Sequence, residues 1–300
     1  MPGETWTIGK LIRWTQDFFG KKGIESSRLD AEIILAHSLG LKRIELYTNY
    51  NRAVTDEGRT RFRELVKLRA RHCPCAYITG EREFMSLNFR VTPDVLIPRP
   101  ETEFIVESVL ELSSGRAAAE LLIADIGTGC GCICISIATR LEKSRFVATD
   151  ISEAALAVAR ENAERHGVAE RITFLRGDML EPAAREGFGG KIDFLLSNPP
   201  YVSQEEWPSL MAQVREYEPK EALLVSGDPL EHYRTIAAQA AKLLAPGGRV
   251  IVEVGRGRAE AVEKLFRENA DYGATRLVKD YGGIDRIVIA EIPAASRAGT

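Results

Sequence analysis

Asp125-Ile126-Gly127-Thr128-Gly129-Cys130-Gly131 joins a short apolar run, 121–126, to a stretch of helical character that ends near Leu141. A run of that length reads as a buried strand, and the glycines allow a tight turn that brings backbone close to a ligand at the carboxyl edge of a sheet. The spacing is Gly-x-Gly-x-Gly. A dinucleotide fingerprint would require glycine at 132, where Cys132 stands, so the dehydrogenase pattern fails at its third glycine. Asp150 closes the next apolar run, 146–149, and a carboxylate there can accept hydrogen bonds from both ribose hydroxyls of an adenosine. Because a helix opened by Ser152 and reaching His166 follows, helix capping is the competing role for Asp150. Asp178 and Met179 follow a third run, 172–175, where an acid can accept from an exocyclic amine and a thioether can pack on a ring; core packing is the competing role for Met179.

Outward from this stretch, further strands are read at 192–197, 249–254, 276–278 and 286–290. They alternate with helices at 230–244, stopped by Pro246-Gly247-Gly248, and at 259–269. Short apolar runs between amphipathic helices indicate an α/β fold, a mostly parallel Rossmann-like sheet covered on both faces. Before residue 75 the pattern is helical. Ile8, Leu11, Ile12, Phe18 and Phe19 share one face, Ser27 is placed to cap a second helix, and Thr55 a third. Alternation at Phe84, Leu87, Phe89 and Val91 reads as a β-hairpin over 76–91, and the prolines of 95–100 forbid helix until Glu101. Three domains are therefore expected: helical 1–75, a hairpin linker 76–100, and the sheet domain 101–300.

The composition is that of a soluble globular chain: 45% hydrophobic and 28% charged residues, with a net charge of -3. That charge gives no global pull on nucleic acid. The N-terminal stretch lacks the pattern of a signal peptide, and no window approaches the ~18 uninterrupted apolar residues of a membrane span, so a cytoplasmic protein without membrane partners is expected. Cys73, Cys75, Cys130, Cys132 and Cys134 are spaced C-x-C rather than as zinc-binding pairs, and no metal is expected.

Ser197-Asn198-Pro199-Pro200-Tyr201 follows the fourth strand, at the same sheet edge as the glycine turn. A conjugated –NH2 is a poor nucleophile because its lone pair is delocalised. Two acceptors aimed at its hydrogens, the Asn198 side-chain oxygen and the Pro199 carbonyl, favour the state in which that pair is freed toward a sulfonium methyl. The prolines stiffen the loop, and Tyr201 can lie against the planar group. This chemistry suits a protein amide or the exocyclic amine of a base, so an amino-methyltransferase acting on DNA or RNA is the rival class. The basic run Arg59, Arg61, Arg63, Lys67, Arg69 and Arg71 reads as a solvated helix face or a docking surface.

The chain resembles the HemK/PrmC family of N5-glutamine methyltransferases. The resemblance is carried by Arg28-Leu29-Asp30-Ala31-Glu32, by Tyr77-Ile78-Thr79-Gly80-Glu81-Arg82-Glu83-Phe84, and most selectively by Pro98-Arg99-Pro100-Glu101-Thr102-Glu103. It continues through the glycine turn, Asn198 to Tyr201, Glu218-Pro219 and Gly283-Ile284-Asp285-Arg286. It implies that Gly127, Thr128, Gly129, Cys130 and Gly131 of the glycine turn, with Asp150, hold S-adenosyl-L-methionine, which leaves as S-adenosyl-L-homocysteine; Asp178, Met179 and Asn198 are the further candidate cofactor contacts. It implies that Asn198, Pro199, Pro200 and Tyr201 hold the glutamine of the Gly-Gly-Gln loop of class I peptide chain release factors, with the helical domain helping to dock them. Arg99 and Glu101 either close this pocket or brace the hinge beside it.

Overall fold

The computed structural model describes residues 5–114 and 120–294. The chain divides into two compact units, Met1–Glu81 with Met211–Tyr217, and Arg82–Leu210 with Glu218–Thr300. In the first, α1 (Ile8–Lys21), α2 (Ser27–Leu39), α3 (Arg43–Thr48), α4 (Asp56–Arg69) and α5 (Cys75–Thr79) pack Ile8, Ile12, Phe19, Ile34, Leu35, Leu46, Phe62 and Val66 into one core. Thr55 caps α4 by accepting from Gly58 N at 3.2 Å. Ser27 does not cap α2 as expected. It is the first helical residue, and Ser26, which precedes it as the boundary, makes no side-chain cap bond.

The expected hairpin over 76–91 is shorter. Pro74, with φ -57°, leads into the short helix α5, which ends at left-handed Gly80, and Thr79 Oγ1 donates back to Cys75 O at 3.0 Å. Ile78, within the span expected to form the hairpin, is buried in the helical core. Pairing is confined to β1 (Glu81–Phe84) and β2 (Leu87–Arg90).

Within α4, Arg69 lies on the buried face with Phe62 and Val66 and is not part of the solvated basic face. Its guanidinium donates to Asp30 at 2.7 Å, Gln213 at 3.0 Å and the Cys73 carbonyl at 3.3 Å, and the side chains of Arg69 and Asp30 are only 6% and 7% exposed. Gln213 belongs to α10 (Ala212–Tyr217), whose Tyr217 hydroxyl also donates to Arg71 O at 2.7 Å.

The second unit contains α6 (Glu103–Leu112), β3 (Leu122–Ile126), α7 (Cys132–Ala138), β4 (Arg145–Asp150), α8 (Glu153–Arg165), β5 (Ile172–Arg176) and α9 (Glu181–Arg185). It continues with β6 (Ile192–Ser197), α11 (Glu231–Gln239), β7 (Leu244–Glu253), α12 (Ala259–Arg267), β8 (Thr275–Lys279) and β9 (Asp285–Glu291). The seven-stranded sheet has the order β5-β4-β3-β6-β7-β9-β8, parallel from β5 to β7, with β9 antiparallel to both neighbours. Glu101 lies in a single 3₁₀ turn, Pro100–Thr102, that precedes α6. The helix expected over 230–244 stops at Gln239, and one 3₁₀ turn, Ala240–Lys242, leads into β7. Leu244 is already paired with Ile192 of β6, and the register shift beyond that pair absorbs Pro246 and Gly247 at the start of the strand.

Replacing Arg69 with methionine would leave the Asp30 carboxylate buried and unpaired. Arg69→Met is expected to destabilise the helical unit by about 3–5 kcal/mol in urea denaturation, and the Asp30→Asn/Arg69→Met double variant to recover more than half of the loss. A double variant no more stable than Arg69→Met would contradict this account of the pair.

Candidate active site

Two loops leave one edge of the sheet from neighbouring strands. Ile126 of β3 and Ser197 of β6 are register partners, and Ser197 Oγ donates to Ile126 O at 2.8 Å. Gly127, Gly129 and Gly131 take φ values of +71°, +56° and +81°, which side-chain-bearing residues rarely adopt. A Cβ at 127 or 129 would meet nothing within 4 Å, so backbone conformation demands glycine there. At 131 a Cβ would also lie 2.7 Å from Ile135 Cδ1 and 3.3 Å from Ala159 Cβ, where α7 packs on α8. Gly127 N and Thr128 N both donate to Thr149 O at 2.9 Å, tying the turn to β4, and the buried Cys130 carbonyl accepts from Asn162 Nδ2 at 2.9 Å.

Asp125 lies beneath this turn. Its Oδ2 accepts from Thr128 Oγ1 at 2.7 Å and Cys134 N at 3.3 Å, while its Oδ1 is buried with no partner. Burial pushes this carboxyl up to about 6, against the pull of those donors. Asp150 ends β4 and accepts from Gly129 N and Ser152 N, each at 2.9 Å. Ser152 Oγ, not Asp150, caps α8, accepting from Ala155 N at 3.1 Å. Burial raises the Asp150 pKa, and its backbone donors hold it down. Each of its oxygens retains a second lone pair, so the set suits a ligand with paired hydroxyls, and the orphan oxygen of Asp125 suits a cationic group.

Asp178 and Met179 follow β5, the strand beside β4. Asp178 is exposed; Met179 is half-buried against the core, with φ +48° and its carbonyl held by Thr149 Oγ1 at 3.0 Å. Cys130, Cys132 and Cys134 are buried free thiols. A hydrogen bond with Cys130 and burial raise the Cys132 pKa, and burial raises that of Cys134. Among the described residues no group of three or more His, Cys, Asp or Glu is arranged to hold a metal.

On the second loop, Asn198, Pro199, Pro200 and Tyr201 line one small depression with Leu96 and Arg99. Asn198 Nδ2 donates to Thr102 Oγ1 at 3.2 Å, and that hydroxyl donates to Glu253 Oε2 at 2.6 Å. Glu253 ends β7, is 2% exposed, and burial pushes its carboxyl up to about 7. The Tyr201 ring rests against Gly255, where a Cβ would lie 2.8 Å from Cδ2; burial pushes its phenol up to about 12. Arg99 is held at 2.6 Å by Glu218, whose other oxygen accepts from Ile97 N at 3.1 Å. Arg99 therefore lies in the depression, and Glu101 faces Arg286 at 3.8 Å. Sequence reasoning missed Thr102, Glu253 and Gly255. A charged residue closing the apolar run 250–252 at the carboxyl edge was the available signal for Glu253.

Residues 10–80 match the family described as PrmC N-terminal domain, and residues 119–287 the one described as methyltransferase domain. The chain is 41% identical over 288 residues to the release factor glutamine methyltransferase of Rhodopirellula baltica, covering 94% of this chain and 95% of that one. The relative of the same name in Geobacter sulfurreducens is 41% identical over 285 residues, covering 95% and 96%. The fold is similar to that of the N-terminal domain of human METTL16 in complex with SAH, with a TM-score of 0.51 at 18% identity, over 85% of this chain and 93% of that one. Among the described residues no helix is long and apolar enough to cross a membrane.

The buried carboxyl of Glu253 has a stability signature. Its pKa is about 7 in the folded chain against an ordinary 4.5, so the folded state binds the proton more tightly. The contribution is full below pH 4.5 and is lost as pH rises through 7. Between pH 5 and 8 the wild type should lose on the order of 3 kcal/mol more stability than Glu253→Gln. Parallel pH–stability curves for the two proteins would refute the burial argument.

Proposed function

The chain belongs to the family of release factor glutamine methyltransferases, and we propose that it moves a methyl group from S-adenosyl-L-methionine to the side-chain amide nitrogen of the glutamine in the Gly-Gly-Gln loop of class I peptide chain release factors. The observation that carries this reading is the Asn198–Thr102 hydrogen bond beside the glycine turn. It occupies the NH2 end of the Asn198 amide and leaves the oxygen to accept from a substrate amide. S-adenosyl-L-methionine, when bound, supplies an electrophilic sulfonium methyl. Gly127 to Gly131, Asp150, Asp178 and Met179 would hold it, with Asp150 as acceptor for the ribose hydroxyls and the unpartnered Asp125 Oδ1 as acceptor for its ammonium.

Asn198 Oδ1 and the Pro199 carbonyl take the two hydrogens of the substrate –NH2. Both acceptors strengthen as positive charge grows on nitrogen, so they stabilise the transition state more than the ground state. Pro199 and Pro200 restrict the loop, so little reorganisation is needed when charge develops. Tyr201, supported by Gly255, covers the planar amide and keeps water away. The phenol, with its pKa raised to about 12, stays neutral and serves as a wall rather than a base. The methylated amide is acidic enough to lose its proton to water. The helical domain, 1–75, docks the release factor. The protein acts in the cytoplasm, with no nucleic-acid substrate and no metal.

Incubation with methyl-labelled S-adenosyl-L-methionine and either a release factor or bulk nucleic acid tests this. Label should enter the factor at its Gly-Gly-Gln glutamine; label entering nucleic acid alone would replace this reading with that of a base amino-methyltransferase. Asn198→Ala should lower turnover by about 10²–10³-fold, as loss of a preorganised hydrogen-bonding group does, with cofactor affinity by calorimetry within about twofold of wild type. Loss of cofactor affinity in parallel would show that Asn198 serves binding instead.

A further inference from the structure

Glu253 and Thr102 are two polar side chains, 2% and 3% exposed, at the carboxyl edge of the sheet; Thr102 has served so far only as the partner of the Asn198 amide, and Glu253 has no task. They form one line with Asn198: carboxylate, hydroxyl, amide, at 2.6 and 3.2 Å. We propose that Glu253, acting through Thr102, is a positioning residue that fixes which end of the Asn198 amide faces the substrate. This inference rests on the amide-methylation reading of the site.

The count of protons along the line sets the orientation of the amide. An ionised carboxylate can only accept, and a hydroxyl has one proton to give. Thr102 spends that proton on Glu253 at 2.6 Å, so toward Asn198 it can only accept. The amide must then present Nδ2–H to Thr102 and leave Oδ1 to the pocket. Without the carboxylate, Thr102 is free to donate, and the flipped amide, NH2 toward the substrate, is equally satisfied. A flipped amide offers hydrogens to hydrogens and cannot hold the substrate –NH2.

Burial supports this tuning. Glu253 is surrounded by Glu101, which raises its pKa, and by Arg286 and Arg99, which lower it. Two phenols complete the surroundings: Tyr201, whose own pKa the carboxylate raises, and Tyr233, whose hydroxyl donates to the Glu253 carbonyl at 3.0 Å. With the carboxyl near 7, the line has its productive polarity when Glu253 is ionised.

Thr102→Val removes the hydroxyl at nearly constant volume. With a release factor as substrate, kcat should fall by about tenfold or more, with KM and cofactor affinity within about threefold, because the lost interaction acts in the transition state. Thr102→Ser should restore kcat to within about threefold. In an Asn198→Ala background, Thr102→Val should change kcat by less than about twofold, since a residue that acts only through Asn198 has nothing left to position. A merely structural Thr102 would add its loss to that of Asn198→Ala, and that result, or full turnover by Thr102→Val, overturns the proposal.

A readout that needs no substrate accompanies these. The side-chain amide signals of Asn198 in a ¹⁵N-labelled protein are assigned by their absence in Asn198→Ala. They should exchange with water about tenfold faster or more in Thr102→Val, as expected when a protecting hydrogen bond is lost; unchanged exchange overturns the proposal. A wild-type protein that leaves release factors unmodified counts against the function reading, and the exchange experiment still decides this one. Should Thr102→Val not fold, Glu253→Gln carries the test: wild-type kcat should rise through pH 7, and the variant should lower kcat by about threefold or more and lose that rise. Wild-type turnover with a wild-type pH profile in Glu253→Gln would overturn the proposal.

Discussion

The parallel pairing of β3 with β6 is the constraint from which the site follows. Both strands run in one direction, so both of the loops that leave them emerge on the same edge, one strand spacing apart, about 5 Å. The chain leaves β3 outward through β4 and β5 and returns on its other side as β6, so β3 sits where the strand order reverses. Such a reversal opens a crevice above the sheet. The glycine turn and the Asn198 loop lie at that crevice although 71 residues separate Ile126 from Ser197, and the Ser197 hydroxyl bonded to the Ile126 carbonyl fastens their bases together.

What the crevice holds is determined by which polar groups the strand ends bury. Asp125 at the end of β3 and Glu253 at the end of β7 have carboxyls raised to about 6 and about 7 by burial. In a core such groups are a liability; here each is engaged by a hydroxyl, Thr128 for one and Thr102 for the other. The two pairs play different parts. Thr128 closes the glycine turn on its own strand, three residues from Asp125, whereas Thr102 reaches across 151 residues to Glu253. Perturbed acids gathered at one sheet edge are the usual mark of a working site, and their partners here explain what each acid steadies.

The separation of local from distant partners also decides what could be read from the sequence. The turn at Gly127 to Gly131 was legible because its positive φ angles select glycine residue by residue. The caps at Thr55 and Ser152 were legible because an N-cap hydroxyl bonds within three residues. The break after Gln239 was not, because it is imposed by β6 pairing with Leu244, and helical periodicity continues past it. Arg69 was misread by charge alone, although its spacing from Phe62 and Val66, seven and three residues, put it on the buried face of α4. Asn198 to Tyr201 announced themselves as residue types; Thr102, Glu253 and Gly255 did not, since each matters only through a neighbour remote in sequence.

The four residues of the Asn198 loop are therefore an incomplete description of the site. An asparagine side chain is nearly symmetric in shape and opposite in polarity at its two ends, so placing it on a rigid proline loop fixes position without fixing sign. The backbone carbonyl of Pro199 needs no such help, because its polarity is set by the chain. The asymmetry explains why the loop has a relay on the Asn198 side: a short covalent motif supplies one acceptor outright, and the sheet supplies the other by holding a carboxylate where only one orientation of the amide satisfies the hydroxyl between them.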